Sequence, residues 1–187
     1  MYGSEKSTQG IILKTNDFER PSLHQFLKYE NLNDKSVLIA LDQITDPQNI
    51  GSIMRSCALF NCKGIIVAKD NAPDLTPSLY KAASGAAEIV NYFKVTNLKR
   101  SISELKKSGY WIYGFDSAKN KSSQINFSKK SLLVFGSEGK GIRKLIKKEC
   151  DEIINLNIQK NTKFQIDSLN VSNAASIALY EFYKFKY

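Results

Sequence analysis

Three nearly continuous apolar runs, residues 37–41, 64–68 and 131–135, constrain the fold of this chain more than any other feature. A strand with one wet face alternates apolar and polar side chains. A continuous run suits a strand covered on both faces, as inside a parallel sheet flanked by helices. Helical segments separate the runs: residues 49–60, residues 76–84 with Pro77 in the first turn, and a helix capped by Asn97 that runs to Lys107 and stops at Gly109. Residues 92–95, 110–115 and 153–158 read as further strands, residues 142–148 and 168–185 as further helices. The alternation predicts an α/β fold, a mostly parallel sheet with helices on both faces. Residues 37–187 form that domain. Residues 1–36 are a weakly periodic extension, with a short strand expected at 10–13 and a helix beginning near Pro21. The polar stretch 116–130 is expected to be a mobile loop.

Composition removes several function classes. No stretch approaches the roughly 20 apolar residues of a membrane-spanning helix. The first ten residues lack the apolar core of a signal peptide, so cytoplasmic residence is expected. Cys57, Cys62 and Cys150 form no CxxC pair, and His24 is the single histidine. No metal site is expected from so few ligands, and a Ser-His-Asp design would have to use an unpromising histidine. The formal net charge is +9, and residues 119–148 hold nine Lys or Arg against one acid, Glu138. Such a stretch either attracts a polyanion or is a solvated lysine-rich face.

In sheets of this kind ligands sit beyond the carboxyl ends of the strands. The loop after residues 37–41 leads to Asn49 and Arg55. The loop after 131–135 places Glu138 among Gly136, Gly139 and Gly141, and the last loop leads to Ser168, Leu169 and Asn170. Each has a plainer reading: Asn49 or Ser168 as a helix cap, Arg55 as a surface cation, the glycines as a turn. The glycine loop is not a phosphate loop, because Lys140-Gly141 is followed by Ile142 rather than Lys-Ser or Lys-Thr. The GxGxxG fingerprint is absent, which argues against a nucleotide-dependent dehydrogenase.

Three segments in order resemble the motifs of the SpoU, or TrmH-type, RNA ribose methyltransferases: Asp46-Pro47-Gln48-Asn49-Ile50-Gly51-Ser52-Ile53-Met54-Arg55, Leu133-Val134-Phe135-Gly136-Ser137-Glu138-Gly139-Lys140-Gly141, and Asp167-Ser168-Leu169-Asn170-Val171-Ser172-Asn173. Ser84-Gly85-Ala86-Ala87-Glu88 matches a fourth family segment. The resemblance implies a deep trefoil knot of the SPOUT type, which periodicity alone would not suggest because knots are nearly absent among folds. It implies S-adenosylmethionine as cofactor, RNA as partner and a homodimer with each cofactor pocket near the subunit interface. By the family pattern Asn49, Arg55, Glu138, Ser168 and Asn170 are the catalytic positions, and Gly114, Gly136, Leu156 and Leu169 the cofactor positions. Lys140, Arg143 and Lys144 are expected to meet RNA.

The expected reaction is methyl transfer to a ribose 2′-hydroxyl, that of a guanosine in 23S ribosomal RNA. Transfer RNA, or a catalytically silent RNA-binding or ribosome-assembly role, are the alternatives. Some accounts of the family make the arginine the base. An ordinary arginine stays protonated, so stabilisation of the developing alkoxide is the favoured role for Arg55. The chain departs from the family pattern at Leu156-Asn157-Ile158, where Ile-Pro-Met is usual, and in a longer segment from Gln159 to Asp167. Many relatives carry an N-terminal RNA-binding module for which residues 1–36 are too short.

Overall fold

The strand Ser36–Asp42 (β1) is buried along its whole length and sits in the middle of the sheet, as its uninterrupted apolar run requires. The computed structural model describes residues 19–29, 35–70, 72–116, 125–156 and 168–186. Within them β1 is joined by Gly64–Ala68 (β2), Asn91–Val95 (β3), Trp111–Phe115 (β4), Lys130–Gly136 (β5) and Glu152–Ile154 (β6). The order is β3-β2-β1-β5-β4-β6 and every pairing is parallel.

Successive side chains of a strand point to opposite faces, so β1 feeds two cores. Val37, Ile39 and Leu41 join one cluster; Leu38 and Ala40 join the other. The first cluster is closed by Pro47–Leu59 (α2), Pro77–Ala83 (α3), Ala86–Ile89 (α4) and Val171–Lys186 (α7). Leu23–Tyr29 (α1), Leu98–Lys107 (α5) and Lys144–Lys147 (α6) cover the second. In α5, Leu98, Ile102 and Leu105 recur at helical spacing and supply its buried stripe.

Local chemistry explains where the elements begin. Asp46 caps α2, its carboxylate accepting from the backbone N–H of Gln48 and Asn49 at 3.0 and 3.3 Å. Asn49 is therefore not the cap, and its side chain is left for other use. Ser168 does not cap α7 either. Asn170 does, with Oδ1 accepting from the Ser172 N–H at 2.9 Å. The helix α4 was not foreseen, because Gly85 reads as a stop signal; Ser84 and Gly85 both adopt left-handed backbone, and the chain re-enters a helical turn at Ala86. The strand β6 ends at Ile154, short of the expected span, which leaves Leu156 in the loop beyond it.

The expected strand at 10–13 and residues 117–124 lie outside the described residues. The end of the polar 116–130 stretch is anchored rather than free. Tyr113 Oη donates to the Asn126 carbonyl and accepts from the Ser128 N–H, both at 2.9 Å, and Phe127 is buried against Tyr113 and Phe182. Ahead of β1, the Arg20 guanidinium donates to the carbonyls of Val90 and Ala87, which ties the front of the described chain to α4. Burial pushes the Cys150 thiol up to about 12 and raises that of Cys57 well above its ordinary value, which disfavours the reactive thiolate.

The helices α2 and α3 touch through Gly51. A Cβ there would fall 2.5 Å from Ala82 Cβ and 2.8 Å from the Leu79 carbonyl oxygen. Gly51→Ala is expected to push the two helices apart and destabilise the chain by about 1–3 kcal/mol despite alanine's higher helix propensity. Urea denaturation checks this; an unchanged or raised midpoint would contradict it.

Candidate functional site

Three chain segments meet at the carboxyl ends of the strands: the N-terminus of α2, the glycine loop after β5 and the N-terminus of α7. Asn170 joins them. Its Nδ2 donates to Asn49 Oδ1 at 2.9 Å and to Glu138 Oε1 at 2.8 Å, across 121 and 32 residues of chain. The Val171 N–H also reaches Glu138 Oε1, at 3.4 Å.

The orientation of these amides follows from their partners. The Ser172 N–H can only donate, so Asn170 must turn Oδ1 to it. Nδ2 then faces Glu138, whose carboxylate only accepts. Asn49 must in turn offer its oxygen, which leaves its own Nδ2 as a donor with no hydrogen-bond partner among the described residues. Glu138 Oε2 is likewise without one. A free donor and a free acceptor thus stand on either side of the Asn170 amide.

The loop carrying Glu138 is closed tightly. The Gly141 N–H donates to the Ser137 carbonyl at 2.8 Å, and Gly139 and Gly141 take φ of 83° and 65°. Gly136 lies so close to the returning chain that a Cβ would fall 2.0 Å from the Gly141 carbonyl carbon. Beyond the loop, Arg143 is pinned to Asp42 at the end of β1. Its N–H donates to Oδ2 at 2.9 Å, and Nε and Nη2 reach Oδ1 at 2.8 and 2.7 Å. The Asp42 side chain is fully buried. A buried carboxylate is tolerable only with such complete pairing. Arg143, expected as an RNA contact, thus also closes the loop, with its side chain 46% exposed. Asp42 was not singled out beforehand; an acid ending an apolar strand is the signal that could have found it. Lys140, at the loop's tip, and Lys144 are exposed.

A cavity of about 210 Å³ lies under this loop, bounded by Phe115 of β4 and Asp116 just after it, residues 135–139 and Gly141 from β5 and its loop, and residues 154–156 beside Ser168, Leu169, Val171 and Ala174. Of the residues expected at the cofactor, Gly136, Leu156 and Leu169 line it, as do Glu138 and Ser168. Gly114 does not. A Cβ there would meet Cys150 Sγ and Ile153 Cδ1, both at 2.8 Å, so glycine serves packing beneath α6 and β6. Nor does Arg55 line it. Arg55 is exposed on α2 and makes no hydrogen bond or ion pair among the described residues. The cavity offers apolar and aromatic walls, two carboxylates (Asp116 and Glu138) and no Lys or Arg among its lining residues. That chemistry suits a ligand with a flat apolar body and positive charge, not a polyphosphate. Among the described residues no His, Cys, Asp or Glu group could hold a metal, and no helix is long and apolar enough to cross a membrane.

Comparison with known proteins agrees with these observations. A model of the SpoU rRNA methylase family matches residues 36–180. The chain is 36% identical over 178 residues to YacO of Bacillus subtilis, a protein assigned to the TrmH family of tRNA/rRNA methyltransferases, covering 94% of this chain and 70% of that one. It is 35% identical over 180 residues to the 23S rRNA (guanosine-2′-O-)-methyltransferase RlmB of Coxiella burnetii, covering 95% and 70% respectively. Among solved structures, the SpoU methyltransferase AviRb of Streptomyces viridochromogenes, in complex with AdoMet, superposes with a TM-score of 0.72 at 24% identity over 82% of this chain. The match spans 59% of that longer protein.

Proposed function

The chain belongs to the SpoU rRNA methylase family, and from that premise we propose that it methylates a ribose 2′-hydroxyl, that of a guanosine in 23S ribosomal RNA, with S-adenosylmethionine as donor. The observation that carries this reading is the Asn49–Asn170–Glu138 network beside a cavity whose charged lining groups are both carboxylates. S-adenosylmethionine would supply a methyl group already activated on a sulfonium. The protein's task is then to hold the ribose in line and manage its proton, and alignment alone contributes several kcal/mol.

Glu138 and Asn49 present their free acceptor and donor to the ribose and keep it from rotating. Asn170 sets the orientation of both, and Ser168 supports the loop that holds the cofactor with Gly136, Leu156 and Leu169. Arg55 stabilises the negative charge that develops on the attacking oxygen. Lys140 and Lys144 attract the RNA backbone. The homodimer belongs to the same reading. Leu59 on α2, with Ile177 and Tyr180 on α7, are large apolar residues exposed on two helices that pack together, and Arg55 lies one turn from Leu59. The trefoil knot belongs to it as well: α7 packs against α2 and the inner strand β5 although β6, the strand before it, lies at the sheet edge beyond β4. Cytoplasmic residence completes the reading.

The relatives' names include both ribosomal and transfer RNA. Mapping ribose methylation in both RNAs, from cells with and without the protein, decides between them. Loss of a single 2′-O-methylguanosine in 23S RNA is expected. A lost transfer RNA mark would move the substrate, and no lost mark in either RNA would favour a silent RNA-binding role.

A further inference from the structure

One polar side chain of the cavity is used neither by the glycine loop nor by the amide–carboxylate network. Asp116 follows β4, and its N–H donates to the Ile154 carbonyl at 3.0 Å, which fixes it against β6. The side chain is 14% exposed and lines the cavity. Oδ2 accepts from Lys147 Nζ at 3.0 Å, whereas Oδ1 has no hydrogen bond among the described residues. That oxygen keeps its lone pairs for a water or a ligand donor. A Cβ at Gly141 would sit 3.3 Å from both carboxylate oxygens, so glycine there lets the carboxylate lie against the loop.

We infer that Asp116 reads the ribose hydroxyls of the adenosyl cofactor, with Oδ1 as the acceptor; the inference rests on the cofactor proposed above and deepens it. Charge decides which part of the cofactor Asp116 meets. S-adenosylmethionine offers a carboxylate either its cationic sulfonium and ammonium or the neutral O–H donors of its ribose. Lys147 neutralises Asp116 at contact distance, so the pair as a whole attracts a cation weakly. Its remaining oxygen lone pairs still accept strongly. Glu138 differs: it takes its bonds from an amide and a backbone N–H and has no ion pair among the described residues. Its charge is available for the cationic end. The two carboxylates divide the work, Asp116 taking the hydrogen-bond donors of the cofactor and Glu138, its charge unneutralised, facing the reacting centre.

Titration calorimetry on the full chain tests this with S-adenosylhomocysteine and its 2′,3′-dideoxy analogue. The unaltered protein should prefer the hydroxylated ligand by about tenfold or more, the scale of a hydrogen bond to a charged acceptor. Asp116→Ala should lose that preference, weakening S-adenosylhomocysteine by about tenfold and the dideoxy analogue hardly at all. Equal weakening of both, or of neither, overturns the inference. Should Asp116→Ala not fold, Lys147→Gln decides. It should keep the hydroxyl preference while binding of S-adenosylmethionine strengthens several-fold relative to S-adenosylhomocysteine, because the exposed charge of Asp116 now favours the sulfonium. Lost hydroxyl preference or an unchanged ratio overturns it. Failure of the unaltered protein to bind either adenosyl ligand would sink the cofactor reading itself, a result separate from these selective ones.

Discussion

Gly136→Ala is expected to abolish binding of S-adenosylmethionine while leaving most of the sheet folded. The added Cβ would lie 2.0 Å from the Gly141 carbonyl carbon, 2.2 Å from its oxygen and 2.2 Å from the Ile142 nitrogen. All three are backbone atoms, so no side chain can turn aside. Nor can the loop drift, because it is held on both sides. Upstream, Gly136 is paired with Asp42 in the β1–β5 register. Downstream, Ile142 is buried in the second core and Arg143 is bonded to the fully buried Asp42 carboxylate. The segment from 137 to 141 must therefore unlatch, and with it goes the cavity wall formed by Ser137, Glu138, Gly139 and Gly141. Calorimetry should show binding weakened by more than about 100-fold, equivalent to more than about 2.8 kcal/mol. Gly139→Ala is the control. A Cβ there meets nothing within 4 Å, and only the left-handed φ of 83° opposes it. That strain costs roughly 1–2 kcal/mol and should leave binding measurable. Comparable affinity in the two variants would show that the close approach at 136 is not what keeps the pocket closed.

The contrast between these glycines marks how far the chain could be read before its structure was known. The strands announced themselves because burial on both faces leaves an apolar signature that depends only on local sequence, and β1, β2 and β5 fall where their runs lie. The three loops of the site were legible for a related reason: in a parallel sheet, loops that follow strands share one edge. What stayed hidden depends on distant partners. Arg143 read as a free cation within a basic stretch, because a local charge count cannot see Asp42, 101 residues away. Asn49 was open between cap and functional group until Asp46 proved to fill the cap. The glycines could be counted, but only the approach of Gly141 distinguishes Gly136 from Gly139. Gly114 was placed at the cofactor by family pattern. The neighbouring Asp116 is, among the described residues of that loop, the one that reaches the cavity.

Arg55→Ala is expected to lower the methylation rate by about 10²–10³-fold, the usual effect of removing one donor to a developing oxyanion, with cofactor affinity unchanged. Unchanged affinity follows from its position, because Arg55 is exposed on α2 and does not line the cavity. Six positions separate it from Asn49, which is about 9 Å of rise and some 240° of rotation along a helix. The guanidinium therefore does not share the face by which Asn49 meets Asn170. It makes no hydrogen bond or ion pair among the described residues, which leaves it available to a ribose brought from outside. Arg55→Lys distinguishes the two roles proposed for this side chain. Lysine keeps the charge but loses the planar fork, so partial activity is expected. As a stabilising cation it should lose effect as pH rises through the lysine pKa, roughly 10.4, because the charge disappears. As a base it should gain effect over the same range, because the free amine appears. A falling limb in the pH–rate profile of Arg55→Lys supports the electrostatic role, and a rising limb would move Arg55 to general base. Full activity in Arg55→Ala would remove it from the chemistry and leave Glu138 to handle the proton.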